Sequence, residues 1–199
     1  MTSPDLSGLK KDFPILHTER HGRPLTFLDS AASSQRPTQV LDAMNYTYTH
    51  AYANVHRGVY GLAEAATNAY ETARLKVARF IAAPDSSEIL FTKNATESLN
   101  LVAGSWGRAN LGPGDAIVLT TMEHHANIVP WQMLQAEKGF EIRWIHLGED
   151  GKLDLGDLDR LLDGAKLLSV TSMSNVLGTI TPLDQLISAA HAAGALVCV

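Results

Sequence analysis

Ala116-Ile117-Val118-Leu119-Thr120-Thr121 runs into the polar Met122-Glu123-His124-His125, then into a helical stretch from Asn127 to Lys138, then into Ile142-Arg143-Trp144-Ile145-His146. The first and last segments are short and rich in apolar and β-branched residues, the signature of buried strands. A strand, a helix and a second strand in succession need a right-handed crossover to a parallel neighbour. The same alternation extends outward. Glu88–Thr92, Leu167–Ser172 and Ala195–Val199 are predicted strands, and Thr96–Arg108, Leu155–Asp163 and Leu183–Ala193 are predicted helices. Gly112-Pro113-Gly114-Asp115 and Glu149-Asp150-Gly151 are turn signals between them. Two helices are predicted upstream, Pro37–Tyr52 and Leu62–Ala82, the second stopped by Pro84. No fixed-period repeat is present. The fold class is therefore α/β: a mostly parallel sheet with helices on both faces.

Composition narrows the function classes. The 199 residues are 45% apolar and 19% charged, ordinary values for a globular chain. A net charge of −5 without a basic run argues against nucleic acid as the main partner. No apolar run is long enough to span a membrane, and the N-terminus lacks a secretory pattern, so the cytoplasm is the default expectation. The single cysteine, Cys198, cannot form an internal disulfide. The sequence stops at Val199, on an apolar strand with no loop after it. We therefore expect the front part of a larger protein, cut in mid-sheet; a small domain with a terminal strand is the alternative.

Ligands of such sheets bind beyond the carboxyl ends of the strands. In Lys93-Asn94-Ala95-Thr96-Glu97, Asn94 and Glu97 have capping-box spacing. Small residues at Ala95 and Thr96 leave the helix N-terminus open as an anion site, or simply as a well-capped end. Glu123-His124-His125 offers a flat imidazole to an aromatic ligand, or a hydrogen-bonded structural pair. It lacks the spacing of a zinc site, and no metal is expected. Asn175, in Ser174-Asn175-Val176-Leu177-Gly178, could hydrogen-bond a carboxylate or phenolic oxygen, or form an Asx-type turn closed by Gly178. Arg57, in Asn54-Val55-His56-Arg57-Gly58, could grip an anion or lie solvated on a loop. Leu28-Asp29-Ser30-Ala31-Ala32-Ser33 could line a substrate mouth or be a tight connection.

Taken in order, these segments resemble the pyridoxal-phosphate-dependent cysteine desulfurases, in particular the group serving SUF-type iron–sulfur assembly and its selenocysteine-lyase relatives. The carriers are Phe27–Ala32, Ala53–Gly58, Phe91–Ala103, Glu123–Trp131 and Ser174–Gly178, and the resemblance runs from about Phe13 to Val199. It implies the large domain of a fold type I pyridoxal-phosphate transferase, with residues 1–60 contributing to a small domain and site mouth and 61–199 beginning the large domain. It implies that Ala95 and Thr96 hold the cofactor phosphate, that His124 stacks on the ring and assists proton transfer, and that Asn175 contacts cofactor and substrate. Ala31 and Ala32 would line the substrate side. His56 and Arg57 would lie near the site across a homodimer interface. Asn94 stands where the family often has Gly, which the capping geometry tolerates.

The resemblance also implies residues beyond Val199: an Asp for the pyridine nitrogen, the cofactor-bonding Lys, the sulfur-accepting Cys and a carboxylate-binding Arg. None of the seven lysines present follows a Ser-x-His pattern, and Cys198 sits in an apolar strand. The implied reaction takes sulfur from L-cysteine or L-selenocysteine, leaves L-alanine, and passes an enzyme persulfide to a sulfur-acceptor protein. The 199 residues alone are expected to be inactive. The alternatives are an epimerase or kynureninase-like branch of the same group, a non-enzymatic dimerisation or regulatory remnant, and a small zinc protein using His124 and His125.

Overall fold

The computed structural model describes Leu6 and residues 8–199, and divides the chain into two units, Met1–Phe91 and Thr92–Val199. Residues 1–5 and 7 of the segment assigned to 1–60 lie outside the described residues.

In the first unit β1 (Glu19–Arg20) pairs antiparallel with β2 (Arg23–Pro24). His21 and Gly22 link them at φ 53° and 72°, the positive values a tight hairpin turn requires. Pro37 precedes α1 (Thr38–Tyr46), which widens into a π turn over Thr47–Ala51. The hydroxyls of Thr47 and Thr49 donate back to Ala43 O and Asn45 O at this widening. α2 (Gly61–Phe80) follows. Both helices lie where the sequence places them.

The strand expected at Glu88–Thr92 is not formed. Ser86–Glu88 is a 3₁₀ turn capped by Asp85, whose Oδ1 accepts from Ser87 N at 2.8 Å. The Ile89 carbonyl, which a ladder would use, accepts from Arg74 Nη1. That guanidinium also lies 5.0 Å from the Tyr70 ring centroid and 5.4 Å from that of Phe91. An apolar run that looks like a buried strand is thus held by side chains instead.

The second unit is the expected parallel sheet. α3 (Ala95–Val102) passes through a π turn (Ala103–Gly107) into α4 (Arg108–Asn110), where the sequence suggests one continuous helix. Gly107 lets this segment approach its neighbour closely: a Cβ there would lie 2.8 Å from Leu134 Cδ2. Then come β3 (Ala116–Thr120), α5 (Val129–Lys138), β4 (Glu141–Ile145), α6 (Leu158–Leu162), β5 (Ala165–Ser169), α7 (Leu183–Ala192) and β6 (Leu196–Cys198). α6 starts later than expected because Asp154 Oδ1 accepts from Gly156 N at 3.0 Å, holding a turn ahead of it. β5 ends before Ser172 because Thr171 N donates to a side chain and not to the ladder.

The strand order is β4-β3-β5-β6, all parallel. Alternate residues face opposite sides. Ile117, Leu119 and Leu167 pack with Trp131 and Leu134 of α5; Val118 and Leu168 pack with Leu158, Leu162 and Leu186 of α6 and α7. Ile117, Val118, Leu119 and Leu168 are all fully buried, which is why the centres of β3 and β5 are apolar on both faces. The chain leaves β3 for β4 on one side, then crosses back past β3 to β5. The carboxyl ends of β3 and β5 therefore flank a topological switch point, where open α/β sheets bind ligands. Among the described residues, no helix is long and apolar enough to cross a membrane.

Candidate active site

The residues after β3 and β5 meet at this switch point. Glu123 follows β3, and its carboxylate accepts three hydrogen bonds: from Thr120 Oγ1 at 2.7 Å, from Thr171 N at 2.9 Å and from Asn127 Nδ2 at 2.9 Å. Asn127 Oδ1 accepts from Trp131 Nε1 at 3.0 Å and from Ser169 Oγ at 2.7 Å. Thr120, Ser169 and Trp131 are fully buried, and Asn127 is 6% exposed. Among the described residues, no buried side-chain polar atom lacks a partner. One carboxylate therefore ties β3, the chain after β5 and the start of α5 together.

His124 rides on this frame. It caps the 3₁₀ turn His125–Asn127, its Nδ1 accepting from Ala126 N at 3.0 Å. A ring nitrogen that accepts carries no proton, so the neutral ring is protonated on Nε2. The ring is exposed. His125 is also exposed, and its ring stands at 80° to that of His124 with centroids 6.2 Å apart.

α3 packs against the same 3₁₀ turn. Asn94 has extended backbone (φ −171°, ψ 170°) and its Oδ1 accepts from Glu97 N at 2.9 Å. Glu97 Oε2 accepts in return from Lys93 N at 2.7 Å. This reciprocal pair is the capping box expected from the sequence. It uses the Glu97 N–H and leaves those of Ala95 and Thr96 without intrahelical acceptors. Both residues are exposed. Two N–H groups, the positive end of a helix dipole and the Thr96 hydroxyl make up an anion-binding donor set.

Asn175 lies on the loop after β5 and is exposed. Its loop is closed without it. Ser174 Oγ accepts from Val176 N at 3.2 Å and Leu177 N at 3.1 Å, Ser174 O accepts from Gly178 N at 3.0 Å, and Gly178 takes the required φ of 72°. The serine supplies the turn that the sequence suggests for the asparagine, which frees the Asn175 amide.

The other candidates belong to the first unit. Ala31 and Ala32 are exposed on a turn in which Ala32 N and Ser33 N donate to Asp29 O at 3.2 and 3.1 Å. His56 adopts φ 71°, uncommon for a non-glycine residue. Its N–H donates to Thr67 Oγ1 at 2.9 Å, and its Nε2 donates to Glu71 Oε1 at 2.6 Å. Glu71 also accepts from Arg74 Nε at 3.1 Å. The His56 hydrogen bond first, and then Arg74, hold the Glu71 carboxyl below its ordinary value against the cost of desolvation. Arg57 is exposed beside this cluster in sequence.

Sequence reasoning missed Glu123, Asn127, Trp131 and Ser169 as a hydrogen-bonded set, and Glu71 as the partner of His56. The regular spacing of four at 123, 127 and 131 is the available signal, although only Trp131 lies in α5.

Known proteins place this arrangement. The family model described as aminotransferase class-V matches residues 26–199. A cysteine desulfurase of Pectobacterium atrosepticum is 51% identical over 195 residues, covering 98% of this chain and 48% of that protein. The apo structure of a cysteine desulfurase from Thermococcus onnurineus superposes with TM-score 0.88 at 40% identity, covering 96% of this chain and 46% of that one. The cysteine desulfurase CsdA of Escherichia coli, in its S-sulfonic acid form, gives TM-score 0.80 at 34% identity over 98% of this chain and 48% of that one. The chain spans about half the length of the curated relatives it matches.

Proposed function

We propose that this chain, which belongs to the aminotransferase class-V family, is the N-terminal portion of a pyridoxal-phosphate-dependent cysteine desulfurase. The reaction converts L-cysteine, or L-selenocysteine, to L-alanine and leaves sulfur or selenium on the enzyme for an acceptor protein in iron–sulfur assembly. The enzyme acts as a homodimer in the cytoplasm. The observation that carries this reading is the capped, open N-terminus of α3, a helix that packs against the turn carrying His124 at the switch point of the sheet.

The residues present fit the cofactor. Ala95 N–H, Thr96 N–H and the Thr96 hydroxyl suit a phosphate dianion, and Asn94 and Glu97 keep that helix end rigid. The flat, exposed His124 ring suits a planar pyridine, and the free Asn175 amide suits its phenolic oxygen or the substrate carboxylate. Pyridoxal phosphate, when bound, supplies an electron sink for the substrate's α-carbon. His124 holds its proton on Nε2 and offers it from that atom. We assign Arg57 as the positive charge for an anionic substrate group, and Ala31 and Ala32 as small, uncharged residues on the substrate side. Cys198 packs against the buried cluster around Trp131, so the sulfur-accepting thiol is not assigned to it.

The test uses the protein expressed from its complete reading frame and loaded with pyridoxal phosphate. With L-cysteine and a reductant, alanine and sulfide should form in equal amounts, and His124→Ala should suppress both. Cysteine consumption that yields neither alanine nor sulfide would overturn the proposal.

A further inference from the structure

The hydrogen-bond chain beneath His124 has a direction, and the direction assigns a role to Glu123. Trp131 Nε1 can only donate. Its bond to Asn127 Oδ1 therefore fixes which way the Asn127 amide faces, a choice left open at most asparagines. The amide NH₂ must then point at position 123, which needs an acceptor there. The same side chain must also accept from Thr120 Oγ1 and Thr171 N. An ionised carboxylate meets all three demands.

His124 sits between the two ends of this link. Asn127 N donates to His124 O at 2.8 Å, and Ala126 N to His124 Nδ1. Fixing Glu123 and Asn127 fixes the backbone that presents Ala126 N–H to the ring. We infer that Glu123 is a positioning residue: through the directional chain Trp131 to Asn127 to Glu123 it holds the His124 ring as the tautomer protonated on Nε2. This rests on the reading of His124 as the ring that acts at the cofactor.

Glu123→Gln tests it, because the new NH₂ faces the Asn127 NH₂ and Asn127 cannot turn while Trp131 donates to it. Glu123→Gln/Trp131→Phe removes that donor. Asn127 can then flip, accept from the new amide at position 123 and donate to Ser169 Oγ. Two readouts are taken on the protein from its complete reading frame. The first is the ¹⁵N spectrum of histidine-labelled protein without cofactor, with the His124 signals identified by their loss in His124→Ala. The second is desulfurase kinetics with pyridoxal phosphate. The expected result is an Nε2–H tautomer in the parent, a mixed population in Glu123→Gln, and its restoration in the double variant. In parallel kcat falls by about tenfold, from one buried bond left unmade, with KM unchanged, and recovers in the double variant. A contribution to packing alone would make the double variant worse than the single one. A parent tautomer protonated on Nδ1 overturns the inference without any variant, as does a parent-like spectrum in Glu123→Gln. If the spectrum responds as expected while no sulfide is ever formed, the positioning role stands and the proposed activity fails.

Discussion

Replacing Asn94 by Asp, Gly and Ala separates two properties that the N-terminus of α3 combines: stability and anion affinity. The helix is only eight residues long, so its first turn is half of it. Asn94 Oδ1 caps Glu97 N at 2.9 Å. Asn94→Ala removes this acceptor and loosens the return bond from Lys93 N to Glu97, so a loss of about 1–2 kcal/mol in unfolding free energy is expected. Asn94→Gly should lose only a few tenths of a kcal/mol. Asn94→Asp keeps the acceptor and adds a negative charge at the positive end of the dipole, which should add about 0.3–1 kcal/mol.

Anion binding should follow a different order. Two unit charges 4 Å apart in water interact by about 1 kcal/mol. A phosphate ester carries about two negative charges, so Asn94→Asp should oppose it by about 2 kcal/mol, or roughly 30-fold in Kd. The assays are urea denaturation without ligand and fluorescence titration with pyridoxal phosphate, on protein from the complete reading frame. Raising the salt concentration should shrink the affinity difference. The expected outcome is that Asn94→Asp is the most stable variant and the weakest binder. Parent-like affinity in Asn94→Asp would refute an anion at this helix end, and parent-like stability in Asn94→Ala would refute the cap.

Gly58→Ala should disrupt the loop that carries His56 and Arg57, because its Cβ would lie 2.1 Å from Ala63 Cβ; a loss of about 1–3 kcal/mol is expected, with new proteolytic cutting near Val59 as the check. Glu71 should make the protein acid-sensitive. Its folded value lies below the ordinary 4.5, so its contribution to stability is complete above pH 4.5 and is lost as pH falls through the depressed value. Glu71→Gln should flatten the dependence of the urea midpoint on pH in that window. Asp115, held low first by its hydrogen bond from Lys166, should behave in the same way, with Lys166→Met as the matching variant.

The parallel sheet is legible in the sequence because Ala116–Leu119 of β3 and Leu167-Leu168 of β5 are buried on both faces and read as short apolar runs. The capping box is legible because its spacing is local. The segment after Ser87 is not legible: Ile89-Leu90-Phe91 has the composition of a strand, and only the distant Arg74 shows that its carbonyl is already occupied. The turn around Asn175 is half legible. Gly178 marks it correctly, but Ser174 and Asn175 can both close such a turn, and sequence does not choose between them. The Glu123 set escapes because hydrophobic periodicity reports which side chains are buried and says nothing of which donor meets which acceptor.

Glu123 also accounts for how the chain leaves the sheet at the switch point without exposing loose backbone. Along the end of β5, successive N–H groups point to opposite neighbours. Val170 N donates to Cys198 O of β6 at 2.9 Å, so Thr171 N points toward β3. But β3 has already left the ladder at Thr120, and its next N–H, that of Thr121, turns to Ile145 O of β4 at 3.0 Å. Thr171 N would be left without a ladder acceptor, a costly state for backbone this close to the core. Glu123 Oε1 takes that place at 2.9 Å. A side chain thus continues the ladder for one more bond while the two backbones diverge. The bond ties the chain after β5 to the turn that follows β3. An apolar residue at 123 would leave Thr171 N unpaired and release the segment that carries His124, so the residue that extends the ladder is also the one we infer to position the ring.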